Sequence, residues 1–146
     1  MMSKIIYLAA RYTRRLELCG YAEELRAMGY VVDARWLLGE HQIHDSALTV
    51  ESATDTIPPD GLAFARDDVD DVVKSDILIS FTEMPRSGHS RGGRHVEFGL
   101  ALGMNLAVWW QRKRLIVVGP RENVFYCLPS VEVYPTWKKC KEALND

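Results

Sequence analysis

The run Asp76-Ile77-Leu78-Ile79-Ser80-Phe81 constrains this chain most, because apolar residues occupy both of its alternating faces. A strand wetted on one side alternates polar and apolar residues. A strand without that alternation is covered on both sides, as the strands of parallel sheets are. Lys4 to Ala10 is a similar apolar run of strand length, and so are Tyr30 to Trp36, centred on Val31 and Val32, and Leu115 to Val118. A short fifth strand is read at Val131 to Tyr134.

Helical spacing fills the intervals. A helix is expected from Thr13, as its cap, to about Met28, with Leu16, Leu18, Ala22, Leu25 and Met28 inward and Gly29 as the stop. Others are expected over Leu62 to Lys74, over Arg94 to about Gln111 with Val96, Leu100, Met104 and Ala107 on one side, and over Pro135 to Leu144. Strand–helix alternation predicts an α/β, flavodoxin/Rossmann-like open parallel five-stranded sheet with helices on both faces. A chain of 146 residues makes one such domain, spanning 1–146. In these sheets the ligand lies beyond the carboxyl ends of the strands, which points to Ala9–Arg15, Thr82–Glu97 and Gly119–Phe125. The polar stretch Gly39–Gly61, with His41, His44, Ser46, Ser52, Pro58 and Pro59, is too long for a bare connector and is expected to cover the ligand.

Bulk properties narrow the partners. A net charge of −2 gives no general attraction to polymeric nucleic acid or to an anionic membrane, so any bound anion needs a local cluster of donors. The apolar run Ile5–Ala10 is too short for a secretory leader and runs into Arg11, Arg14 and Arg15; no segment has the length of a membrane span. Cys19, Cys127 and Cys140 read as reduced thiols, and neither they nor His41, His44, His89 and His95 have metal-ligand spacing. The expectation is a cytoplasmic protein with no metal and no cofactor.

The most informative stretch is Arg86-Ser87-Gly88-His89-Ser90-Arg91-Gly92-Gly93-Arg94-His95-Val96-Glu97-Phe98-Gly99. Gly92 and Gly93 leave backbone N–H groups open just ahead of a helix, whose N-terminus carries partial positive charge. Ser87, Ser90, Arg91 and Arg94 add donors, and arginine suits a bidentate grip on phosphate. Glu97, placed in the first turn of that helix, is either a complement to the helix dipole or a carboxylate aimed at the anion's pocket.

Within that stretch, Gly93-Arg94-His95-Val96-Glu97-Phe98-Gly99-Leu100-Ala101 resembles the catalytic motif of the nucleoside 2-deoxyribosyltransferase family. It is most similar to the His-Val-Glu form of the superfamily's nucleotide N-hydrolases, which act on nucleoside 5′-monophosphates. Ile6-Tyr7-Leu8-Ala9 is similar to the family's first strand. The spacing of Asp68 and Asp76 matches that of the family's active-site aspartate and a strand-opening one, and Gly119-Pro120-Arg121-Glu122-Asn123 stands where the family has a loop that reaches a neighbouring subunit. The resemblance implies an N-glycosidase that captures the sugar on Glu97, with Asp68 as acid or orienting group and Tyr7 donating its hydroxyl to Glu97. It also implies phosphate held by Ser87–Arg94 together with Arg11, Arg14 or Arg15, and a homo-oligomer (dimer or tetramer) in which Asn123 reaches a neighbour's substrate.

The chemistry agrees. Breaking a C1′–N bond develops an oxocarbenium-like centre that a carboxylate stabilises or captures, and the departing base needs a proton. Against this, Asp67, Asp68, Asp70 and Asp71 read equally as a solvated charge run, Asp76 as a strand opener and Tyr7 as core. Transferases of the family carry an aspartate where Arg91 stands, which favours a nucleotide substrate and hydrolysis. Base exchange, a non-catalytic nucleotide sensor and flavodoxin-like electron transfer are the alternatives. The segment Met104–Gln111 lengthens the helix beyond the family form, with Trp109 and Trp110 as core or as an oligomer contact.

Overall fold

A computed structural model describes residues 2–50, 57–85 and 90–145. Five strands, β1 (Ile5–Ala9), β2 (Val31–Val32), β3 (Ile77–Phe81), β4 (Arg114–Val118) and β5 (Val131–Tyr134), form one parallel sheet in the order β2-β1-β3-β4-β5. Every residue of β3 is buried, as its lack of alternation requires. Asp76 opens that strand by accepting the Ile5 N–H at 2.8 Å, so the strand-opening reading holds.

Among the described residues, four helices cover the sheet: α1 (Arg15–Ala27), α2 (Pro59–Lys74), α3 (Gly93–Ala107) and α4 (Trp137–Leu144). Tyr21 of α1 stacks on Phe81 and on Trp137 of α4, with centroids 5.4 and 4.7 Å apart, so α1 and α4 share a face. The right-handed crossovers place α2 and α3 on the other.

The differences from expectation lie at the ends of elements. The second strand is two residues long rather than seven. It is an edge strand held only by β1, and the chain leaves it for a 3₁₀ turn, Arg35–Leu38. That turn sends the Trp36 indole inward to donate to the Leu8 carbonyl at 2.8 Å. Another 3₁₀ turn, Tyr12–Arg14, precedes α1, so Thr13 caps nothing and Leu16 is exposed; Leu18, Ala22 and Leu25 form the buried face. Helix α3 stops at Ala107, followed by a 3₁₀ turn at Trp109–Gln111. Its buried face is Arg94, Phe98 and Ala101, and Val96, expected inside, is 72% exposed. Phe98 sets that rotation by packing edge-on against buried Tyr126, with centroids 4.6 Å apart. Trp109 and Trp110 are both exposed and so are not core.

One glycine after β4 holds two loops together. Gly119 has φ +120°, and a Cβ there would sit 2.6 Å from Thr82 Oγ1 and 3.2 Å from the Thr82 carbonyl oxygen. Gly119→Ala is expected to cost about 2 kcal/mol or more, lowering Tm by roughly 5 °C or more. Gly20→Ala, at a site in α1 with nothing within 4 Å, should be neutral or stabilising by about 0.5–1 kcal/mol. Thermal melts of the two variants check the contrast.

Candidate active site

Outside the carboxyl ends of β1, β2 and β3 lies a cavity of about 650 Å³, a volume suited to a nucleotide-sized ligand. Strand order reverses between β1 and β3, so the cavity occupies the switch point of the fold. Its walls come from Ala10–Thr13 after β1, from the Trp36–Asp45 segment after β2, from Phe64 and Asp68 on α2, and from Ser90–Arg94 with Glu97 at the start of α3. Two of the three loops expected at the site are here. The third, Gly119–Phe125, stands behind it, and residues of the Gly39–Gly61 stretch take its place.

Glu97 is the fifth residue of α3, not in its first turn, which sets its side chain back over the sheet instead of at the helix mouth. Its Oε1 would lie 3.7 Å from a Cβ on Gly93, and its Oε2 is buried without a hydrogen-bond partner. Burial raises its pKa to about 8; nearby Asp68 adds to the rise, and the Tyr7 hydroxyl opposes it. Tyr7 is fully buried in β1 and faces this carboxyl, though its hydroxyl forms no hydrogen bond of good geometry. Desolvation therefore outweighs what Tyr7 contributes toward holding Glu97 ionised.

The aspartate run on α2 is not a solvated face. Asp71 is buried and accepts from the Arg35 backbone N–H at 2.8 Å, while Asp67 pairs with Arg35 at 3.0 Å. Asp68 faces the cavity instead, with Oδ1 buried and unpartnered. Burial pushes its pKa up to about 6, opposed by His41 and raised further by its aspartate neighbours.

The turn ahead of α3 takes a glycine conformation, but the Gly92 N–H expected to be open is occupied. Gly92 takes φ +79°, and Ser90 Oγ accepts from the Gly92 N–H at 3.1 Å. The arginines divide. Arg94, though at the cavity, is 4% exposed, and its guanidinium is occupied by Glu122 at 2.5 Å and Ser90 at 2.6 Å. Arg91 donates to the Ile43 carbonyl at 2.7 Å and pairs with Asp45, tying this turn to the segment after β2. Arg14 is bound by Glu83 and Glu17, and Arg15 by the Leu37 carbonyl. Arg11 lines the cavity with only a 3.5 Å contact to Glu83, and its Nε is unpartnered. Arg86, Ser87, Gly88 and His89, and with them the Ser87 expectation, lie outside the described residues, as does Ser52. Asn123 is not at this cavity: it caps the following 3₁₀ turn and approaches His95 at 3.3 Å, lining a second, apolar hollow with Val96, Leu106 and Phe125.

Sequence reasoning placed His41 in the covering stretch without singling it out, and missed Trp36 and Phe64 as walls of the site, because strand and helix periodicity does not say which ring turns toward a cavity. It also missed Glu122, whose buried pairing with Arg94 has no local signature. Among the described residues, no three His, Cys, Asp or Glu side chains gather as a metal site, and no helix is long and apolar enough to cross a membrane.

No protein-family model matches this chain, and no curated protein matches its sequence. The fold does have a solved counterpart. The chain is similar to the structure of the CMP N-glycosidase BcmB of Clostridium botulinum, with a TM-score of 0.55 at 20% identity, covering 97% of this chain and 98% of that one. At that identity the likeness establishes the fold alone, an open parallel five-stranded α/β sheet.

Proposed function

We propose that this protein is an N-glycosidase that hydrolyses a nucleoside 5′-monophosphate to free base and sugar 5-phosphate. One observation carries the reading. Glu97 Oε2 and Asp68 Oδ1, from two separate helices, are buried and unpartnered at a nucleotide-sized cavity beside a glycine turn at a helix N-terminus, with the buried Tyr7 hydroxyl facing Glu97 from the sheet. Native folds leave such groups unpaired chiefly where function requires it. CMP, on which the structural neighbour acts, is a nucleotide of this class.

In this reading the phosphate lies on the Gly92–Gly93 turn, held by the Gly93 amide and by Arg11, with Ser90 and Arg91 exchanging their contacts to Gly92, Arg94 and Asp45 for the phosphate. Arg94 fixes the turn from behind. Glu97 attacks C1′ while the base departs with the electron pair of the broken C–N bond and gains a proton. Water then cleaves the glycosyl ester, regenerating Glu97. Asp68 orients Glu97 or serves the proton transfer. Incubation with nucleosides and their 5′-monophosphates should release base from the monophosphates. Adding a second free base should yield no exchanged nucleotide; an exchanged product would mark a transferase, and absence of base release from every nucleotide would sink the enzymatic reading.

We further propose a homo-oligomer, dimer or tetramer, joined through the outer face of α3. Val96 and Leu106 are exposed there, Gly99 and Gly103 have open space above them, and exposed Phe125 adjoins Asn123. Sedimentation equilibrium reads the state, and Gly99→Arg should leave a monomer.

A further inference from the structure

Along the cavity wall Gly93 lies against Glu97 Oε1, Glu97 interacts with Asp68, and Asp68 with His41. With phosphate at Gly93 and sugar at Glu97, the base of a bound nucleotide lies toward His41. That placement rests on the function proposed above. The His41 side chain is 7% exposed, packs at a tilt of 34° against Phe64 with centroids 4.6 Å apart, and shares the cavity wall with Trp36 and Tyr12. Rings of this kind suit the flat faces of a base.

The imidazole is fixed on one side only. Nε2 lies 3.1 Å from Asp67 Oδ2, and the other oxygen of that carboxylate receives Arg35 at 3.0 Å. A carboxylate paired with a guanidinium has no proton to give, so it is Nε2 that carries hydrogen. In the neutral ring Nδ1 is then a bare acceptor, and it is buried with no partner. A buried acceptor left unpaired is costly, and a site built around one rejects a ligand that cannot donate to it.

We infer that His41 Nδ1 reads the base by accepting a hydrogen bond from an exocyclic amino group, so that the site selects amino-bearing bases over their oxo counterparts. CMP and AMP carry such a group; UMP and IMP present a carbonyl in its place, setting acceptor against acceptor.

The test is kcat/KM for base release from the four monophosphates. CMP is expected to exceed UMP, and AMP to exceed IMP, by about tenfold or more. His41→Phe should bring both ratios to within about threefold by lowering the amino substrates. Asp67→Asn supplies a second arm. Arg35 keeps the amide oxygen facing itself, which turns the NH₂ toward Nε2 and moves the ring proton to Nδ1, so the amino preference should vanish or invert. Wild-type ratios below about threefold would overturn the inference, as would full retention of the preference in either variant. If no nucleotide is turned over, the glycosidase reading fails separately. Calorimetric Kd values for CMP and UMP then decide the matter: tighter CMP supports it, and equal or absent binding overturns it.

Discussion

Glu97→Gln is expected to lower base release by about a thousandfold or more while leaving the fold intact, because the amide retains size and burial but cannot form the glycosyl ester. The wild type should show the pH signature of a buried nucleophile. With the carboxyl titrating near 8, only about a tenth of free sites are ionised at pH 7, so kcat/KM should climb with pH and level off above about 8. Asp68, near 6, gives up its proton first as pH rises, so through most of the intervening range the proton of this coupled pair resides on Glu97.

Stability should move the opposite way. Between the ordinary glutamate value of 4.5 and about 8, the folded protein holds a proton that the unfolded chain has lost, so stability falls as pH rises through that window. Glu97→Gln removes this penalty. The variant is expected to match the wild type near pH 4.5 and to exceed it by on the order of a few kcal/mol at pH 8.5. Melts across that range, set beside assays of base release, check both arms. A variant with near-normal turnover, or no more stable than the wild type at alkaline pH, would show that the carboxyl is neither the nucleophile nor buried as described.

The second large effect is expected at Glu122, which does not itself line the cavity. Its Oε2 receives Arg94, its Oε1 receives the Glu83 backbone N–H at 3.1 Å, and the Arg94 side chain is 4% exposed. Two loops, those after β3 and β4, and the start of α3 thus meet on one carboxylate. Glu122→Ala strands a guanidinium where water cannot compensate it, which costs about 3–5 kcal/mol, enough to lower Tm by roughly 10 °C. Replacing both partners, as Arg94→Met with Glu122→Leu, should recover most of that loss, because the desolvation penalty goes with the pair. Thermal denaturation of the single and double variants forms the cycle. Failure of the double variant to recover would mean that the loops are joined by something other than this charge pair.

Periodicity carried the architecture. The continuous apolar run at β3 required two-sided cover and the strand–helix alternation required parallel crossovers, which gives the parallel sheet; its order β2-β1-β3-β4-β5 was decided by packing. What sequence misjudged were ends and rotations. Thr13 looks like a cap only until Tyr12–Arg14 coils first, and Val96 looks like core only until Phe98 claims the inner face. The site was half legible. A glycine pair before a helix and a glutamate within it are local features, whereas Asp68 was singled out from its three acidic neighbours only by the Asp68–Asp76 spacing of the family the chain resembles, and charge patterning alone left it in a solvated run. Only the turn of α2 sends Asp67 and Asp71 to Arg35 and Asp68 to the cavity.

Residue type and short-range spacing were enough to set the sheet, the glycine turn and the glutamate behind it. Long-range packing settled which arginines are occupied, which aspartate is desolvated and which histidine faces inward. Those outcomes depend on what each group meets across the fold: Arg94 meets Glu122, Arg91 meets Asp45, and Glu97 lies against Tyr7, ninety residues earlier in the chain.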